Sequence, residues 1–229
     1  MSGRYSQSAS FEVLRNRFGL DLASLDIRPR YNIAPGQVVP LAVAGKSRYL
    51  KAMRWGLIPS WVKDFSFGEG SFNVRAETLM EKTSFKSSFQ KRRCLVLADG
   101  FYEWRVIEGG RKKIPMRIAL KSREPFAMAG IWDIWEHPSR GPMESFAIVT
   151  TQANDFMRPI HERMPVILRP QDEAKWLDPR LKDICALVPL LTPAPSGPFE
   201  VYEVSSLINS PVNDSPECFN PASHTEEGG

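Results

Sequence analysis

Between Cys94 and Thr151 the chain carries a close succession of apolar stretches: Cys94–Ala98, Tyr102–Ile107, Ile114–Leu120, Phe126–Trp132 and Phe146–Thr151. Each is short and rich in aromatic or aliphatic residues, which predicts strands, and Gly109-Gly110 predicts a hairpin between two of them. Helical patterns are few and do not alternate with the strands. Phe11, Leu14 and Phe18 recur at helical spacing after Ser10 and before Gly19, so Ser10–Phe18 is expected to be a helix. Ala76–Phe89 is compatible with a second, with Arg75 at its start, and Pro170–Leu177 with a short third that has Pro at its first turn. Many strands with a few interspersed helices, without βαβ alternation, predict a single α+β domain over residues 2–221 with an antiparallel or barrel-like core.

Val38–Ala44 and Arg48–Trp55 are expected to pair around Gly45-Lys46, and Phe199–Val204 to form a last strand. Arg30–Gly36 is expected to be a Pro-containing turn, and Pro59–Gly70 a long loop carrying Trp61, Phe65 and Phe67. From Pro211 the polar tail is expected to be irregular, and residues 222–229 disordered. The 229 residues suit one large domain, with neither internal repeat nor linker.

Composition narrows the function classes. No apolar run approaches the ~20 residues of a membrane span, and the start of the chain lacks a signal-peptide core, so a cytoplasmic protein is expected, or a nuclear one in a eukaryote. The net charge of +4 permits a polyanionic partner without demanding one. Cys94, Cys185 and Cys218 are far apart and odd in number, and His137, His161 and His224 share no ligand spacing, so neither a disulfide framework nor a zinc site is expected.

Several short segments carry groups able to do chemistry. After removal of the initiator methionine, Ser2 would present a free α-amine, which titrates near pH ~8 and is partly neutral and nucleophilic at physiological pH. Asn73-Val74-Arg75-Ala76-Glu77 combines an amide, a guanidinium and a carboxylate at an expected loop-to-helix junction: an anion site, or a helix cap with a surface ion pair. Glu103 lies between Tyr102 and Trp104; in apolar surroundings its carboxyl would suit acid–base work, while facing outward it would be an ordinary strand residue. In Ile160-His161-Glu162-Arg163, His161 could move protons and Arg163 could hold a phosphate, or both could be structural. Trp61 with Lys63, Phe65 and Phe67, and the basic tract Lys86 to Arg93, are the ingredients of single-strand nucleic-acid binding, though core aromatics and solvated charge account for them equally.

Taken in order, Met1-Ser2-Gly3-Arg4-Tyr5, Arg30-Tyr31-Asn32-Ile33-Ala34-Pro35-Gly36, Arg54-Trp55-Gly56-Leu57-Ile58-Pro59, Asn73-Val74-Arg75-Ala76-Glu77-Thr78, Asp99-Gly100-Phe101-Tyr102-Glu103-Trp104, His161-Glu162-Arg163-Met164-Pro165 and Asn209-Ser210-Pro211 resemble the SRAP (SOS-response-associated peptidase) family of abasic-site processing proteins. The resemblance implies a barrel-like α+β domain, likewise monomeric and without metal or cofactor, that binds abasic sites in single-stranded DNA and joins them covalently through its N-terminal residue. It implies catalytic roles for Ser2, Asn73, Glu103 and His161, and DNA contacts from Arg4, Arg75, Arg163, Asn32, Lys86 and, more loosely, Trp61. The family's nucleophile is a cysteine whose thiol closes a thiazolidine; this chain has Ser2 there, which keeps the amine and lacks the thiol. An imine, with AP-lyase chemistry, is then the expected limit. The alternatives are an N-terminal-nucleophile peptidase or autoprotease, in which the Ser2 hydroxyl attacks a carbonyl, and a non-catalytic single-strand binder.

Overall fold

The computed structural model describes residues 3–21, 25, 27–79 and 83–222. In chain order its strands are β1 (Arg4–Gln7), β2 (Arg30–Ile33), β3 (Val38–Ala44), β4 (Arg48–Trp55), β5 (Asn73–Arg75), β6 (Arg93–Ala98), β7 (Gly100–Ile107), β8 (Lys112–Leu120), β9 (Phe126–His137), β10 (Gly141–Gln152), β11 (Arg163–Pro165), β12 (Ile167–Leu168) and β13 (Phe199–Glu203). The helices are α1 (Phe11–Phe18), α2 (Phe67–Gly70), α3 (Thr83–Lys91), α4 (Glu173–Leu177) and α5 (Ile184–Leu187).

Pairing of β3 with β4 and β6, of β6 with β9, of β9 with β10, and of β10 with β4 closes a ring, and this is the barrel-like core the sequence predicts. β6 and much of β9 and β10 are buried on both faces, and alternate residues feed different cores. Leu95, Leu97, Ala129 and Val149 pack with Leu14 and Phe18 of α1, Phe89 of α3 and Trp176 of α4. Cys94, Val96, Phe146 and Ile148 pack with Tyr5, Ile33, Phe101 and Ile118 from a second sheet. That sheet has five strands in the order β13-β8-β7-β1-β2. It is antiparallel throughout, and it sets Arg4 opposite Tyr102.

Local rules explain much of this. Ser10 caps α1 by accepting from the Val13 N–H, and Gly19 ends it in the left-handed region at φ 61°. The β3–β4 hairpin has the predicted bounds. Elsewhere the structure corrects the expectations. Asn73–Arg75 is a strand, paired parallel to β10 from Ile148 to Thr150, and is followed by a 3-10 turn over Ala76–Thr78; the helix starts only at Thr83. Arg30–Ile33, expected to be a turn, is a strand against β1. The segment after Pro211 is folded: a 3-10 turn over Pro216–Phe219 buries Cys218, and Pro221 bridges to Val204. The expected disorder of residues 222–229 falls, apart from Ala222, outside the described residues. No helix among the described residues is long and apolar enough to cross a membrane.

Candidate functional site

Glu103 and His161 are 58 positions apart in numbering, yet they line one cavity of about 470 Å³ together with Trp104, Val106, Lys113 and Asn209. Glu103 sits on β7 with only 3% of its surface exposed, so the inward of its two readings holds. His161 comes from the turn between β10 and β11, where its backbone N–H donates to the Met157 carbonyl at 3.0 Å. Its Nδ1 accepts the Arg163 backbone N–H at 3.0 Å. The same nitrogen also lies 3.2 Å from the Arg163 carbonyl oxygen. The described chain begins at Gly3, directly before β1, whose Arg4 is paired with the residue preceding Glu103. Ser2 lies outside the described residues.

The His161–Arg163 segment also borders a second opening of about 400 Å³, lined by Arg75, Gln152, Ala153, Arg158, Glu162 and Arg163. Arg75 is exposed at the end of β5. Arg163 is not: it is 8% exposed, and its guanidinium is held by both carboxylate oxygens of Glu77, at 3.1 and 2.8 Å, and by the Thr150 carbonyl at 2.8 Å. Partial burial raises the Glu77 carboxyl, but the hydrogen bonds from Arg163 and the nearby guanidinium charges outweigh it and hold its pKa below the ordinary value. Asn73, two residues before Arg75 on β5, is half-buried and lines neither opening.

Comparison with known proteins shows the family. The family model described as "SOS response associated peptidase (SRAP)" matches residues 1–211. The chain belongs to the SRAP family. It is 43% identical over 220 residues to the abasic site processing protein YoqW of Bacillus subtilis, covering 95% of this chain and 98% of that one. It is 38% identical over 226 residues to the abasic site processing protein HMCES of Gallus gallus, covering 85% of this chain and 66% of that one. A crystal structure of a Bacteroides thetaiotaomicron protein superposes with a TM-score of 0.86 at 30% identity, covering 96% of this chain and 99% of that one.

Against this SRAP frame, several expected DNA contacts prove to have internal work. Asn32 is fully buried, and its Nδ2 donates to the carbonyls of Ile208, Ser210 and Asn213, so it cannot reach a bound strand. Arg4 donates to Asn32 Oδ1 at 2.8 Å and to the carbonyls of Ile208 and Asn209, and its guanidinium lies 5.9 Å from the Trp104 ring centre. Both residues brace the turn at 206–209 against β1. In the basic tract, Arg93 is buried and donates to the carbonyls of Phe89, Gln90, Trp176, Asp178 and Leu181, burial lowering its pKa, while Arg92 is ion-paired with Asp133. Lys86 remains exposed. Trp61 is 57% exposed and packs edge-on against Phe67, 5.8 Å away. Its loop is tied down where Gly56 adopts φ 130°, and a Cβ there would lie 2.6 Å from the Gly68 carbonyl oxygen. Neither Lys86 nor Trp61 lines the Glu103–His161 cavity.

Sequence reasoning missed Lys113 and Asn209 as lining residues. Lys113 gives no sequence signal, being one of many exposed lysines. Asn209 has one, because it opens the Asn209-Ser210-Pro211 match. No cluster of three or more His, Cys, Asp or Glu side chains able to hold a metal occurs among the described residues.

Proposed function

We propose that this chain binds abasic sites in single-stranded DNA and attacks the ring-opened deoxyribose with the Ser2 α-amine. The observation that carries the reading is the shared cavity of Glu103 and His161, beside the strand at which the chain begins. The abasic-site relatives supply the substrate class. The amine nitrogen attacks the C1′ aldehyde carbon, and a proton moves from nitrogen to the former carbonyl oxygen. Loss of that oxygen as water leaves an imine. Glu103 delivers the proton that lets water depart, a step suited to a buried carboxyl. His161 takes the C2′ proton of the sugar, which drives β-elimination of the 3′ phosphate; alternatively water adds back to the imine carbon, a proton passes to the nitrogen, and the C–N bond breaks to return the aldehyde and the free amine. Asn73 positions the sugar or the amine. Arg75, Arg158 and exposed lysines such as Lys86 hold phosphates, and Trp61 offers a face for base stacking. Arg163 serves by fixing the turn that carries His161.

Ser2 limits how far this chemistry goes. Closure by its hydroxyl would give an oxazolidine, and a hydroxyl is a poorer nucleophile than the thiolate that closes a thiazolidine in the family. The adduct is therefore reversible. The family description favours a second reading, in which the same N-terminal residue takes part in its own peptide-bond processing.

Denaturing gels of the protein and its Ser2→Cys variant with abasic single-stranded DNA, with and without borohydride, test the proposal. The expected result is a borohydride-dependent adduct from the serine form and a stable one from the cysteine form. Absence of adduct from both forms, with binding retained, would leave a non-catalytic binder and overturn it.

A further inference from the structure

The cavity contains a hydrogen-bond donor to which neither the relatives' names nor the catalytic scheme gives a part. Asn209 is the last residue of the 3-10 turn Ser206–Asn209 and is exposed at the cavity lined by Glu103 and His161. Its side-chain Oδ1 accepts the Trp104 indole N–H at 2.7 Å. An indole nitrogen can only donate, so the amide has one permitted orientation: oxygen toward Trp104 and the NH2 group away from it. The backbone is equally fixed. Arg4 donates to the Ile208 and Asn209 carbonyls, and Asn32 to those of Ile208 and Ser210. Arg4 and Asn32, the supposed DNA contacts, thus hold this turn in place.

We infer that Asn209 is a substrate-contacting residue, whose oriented NH2 group donates to a phosphate or sugar oxygen of the DNA strand in the Glu103–His161 cavity. The inference rests on the abasic-DNA reading and adds an uncharged contact to it. Such a donor recognises an oxygen acceptor without releasing a counterion, so it contributes affinity that salt does not erode.

Two substitutions separate contact from scaffold. Asn209→Asp keeps an oxygen for the Trp104 N–H but replaces both donors with a negative oxygen. Asn209→Ala removes everything. Affinity for an abasic oligonucleotide, read by fluorescence anisotropy across a salt series, is expected to fall about three- to tenfold in Asn209→Ala with an unchanged salt slope. It is expected to fall about tenfold or more in Asn209→Asp, with an unchanged melting temperature. Trp104→Phe, which leaves the Asn209 amide in place, is expected to bind more tightly than Asn209→Asp. If Asn209→Asp binds as the parent does, or no worse than Trp104→Phe, the side chain is only a brace and the inference falls while the abasic-DNA reading stands. If the parent protein does not bind the abasic oligonucleotide, both fall.

Discussion

Arg163 illustrates how partners decide a residue's role. Its charge and position suit a phosphate, yet its Nη groups are held by Glu77 and the Thr150 carbonyl. That pairing has a pH signature. The Glu77 carboxyl is held below its ordinary value, so its contribution to stability is fully present above the unfolded-state pKa, about 4.3, and is lost as pH falls through the lower folded-state value. Glu77→Gln is expected to melt below the parent at neutral pH, and the gap is expected to close on acidification below about pH 4.3. Thermal melts across pH check this, and a gap independent of pH would contradict it. At this scale the sequence shows which groups exist but not what they face. Glu103 and His161 stand out as titratable groups inside the matched segments Asp99–Trp104 and His161–Pro165. The partners of Arg4 and Asn32, the carbonyls of residues 208–213, are invisible in the sequence because they lie 176 to 205 residues further on.

The elements that build the site are mostly the short ones. β5 and β11 have only three residues each, too few for a period-2 pattern to stand out, and both are fixed by their pairing with β10. The longer strands could be read from the sequence because each is a continuous aliphatic or aromatic stretch, and the β3–β4 hairpin because Gly45-Lys46 separates two of them. The β6–β7 corner shows what holds the site strand in place. The Arg117 guanidinium is ion-paired with Asp99 at 3.3 Å and covered by the Phe219 ring at 4.0 Å. A Cβ on Gly100 would lie 2.7 Å from Arg117 Nη2, so a larger residue there would push the Arg117 guanidinium out of its place. Gly100→Ala is expected to cost about 1–3 kcal/mol of stability, as overpacking does, measured by denaturant midpoint. A midpoint equal to the parent's would show that Arg117 yields easily. The folded tail also belongs to this scale: Phe219 seals Arg117, and Asp214 accepts the backbone N–H groups of Tyr31 and Asn32. Its polar composition concealed that packing.

At the scale of the molecule, the second sheet carries β1 and β7, and the barrel's β10 carries β5 and β11, so the site lies where the two sheets contribute neighbouring loops and strand ends. The net charge of +4 is modest, and affinity for DNA depends on where the unpaired cations lie. Arg75→Ala is expected to lower the slope of log affinity against log salt by about 0.7, the value for one phosphate contact on a single strand. Arg4→Ala is expected to leave that slope unchanged and to lower the melting temperature. Equal slopes for the parent and Arg75→Ala would remove Arg75 from the DNA path. The central claim is that the N-terminal amine is the group that meets the sugar. It is tested most directly by trapping the parent protein on abasic single-stranded DNA with borohydride, digesting the adduct and locating the sugar remnant by mass spectrometry. The account predicts the remnant on the α-amine of the peptide beginning at Ser2. A remnant on a lysine, Lys113 of the same cavity included, would contradict it.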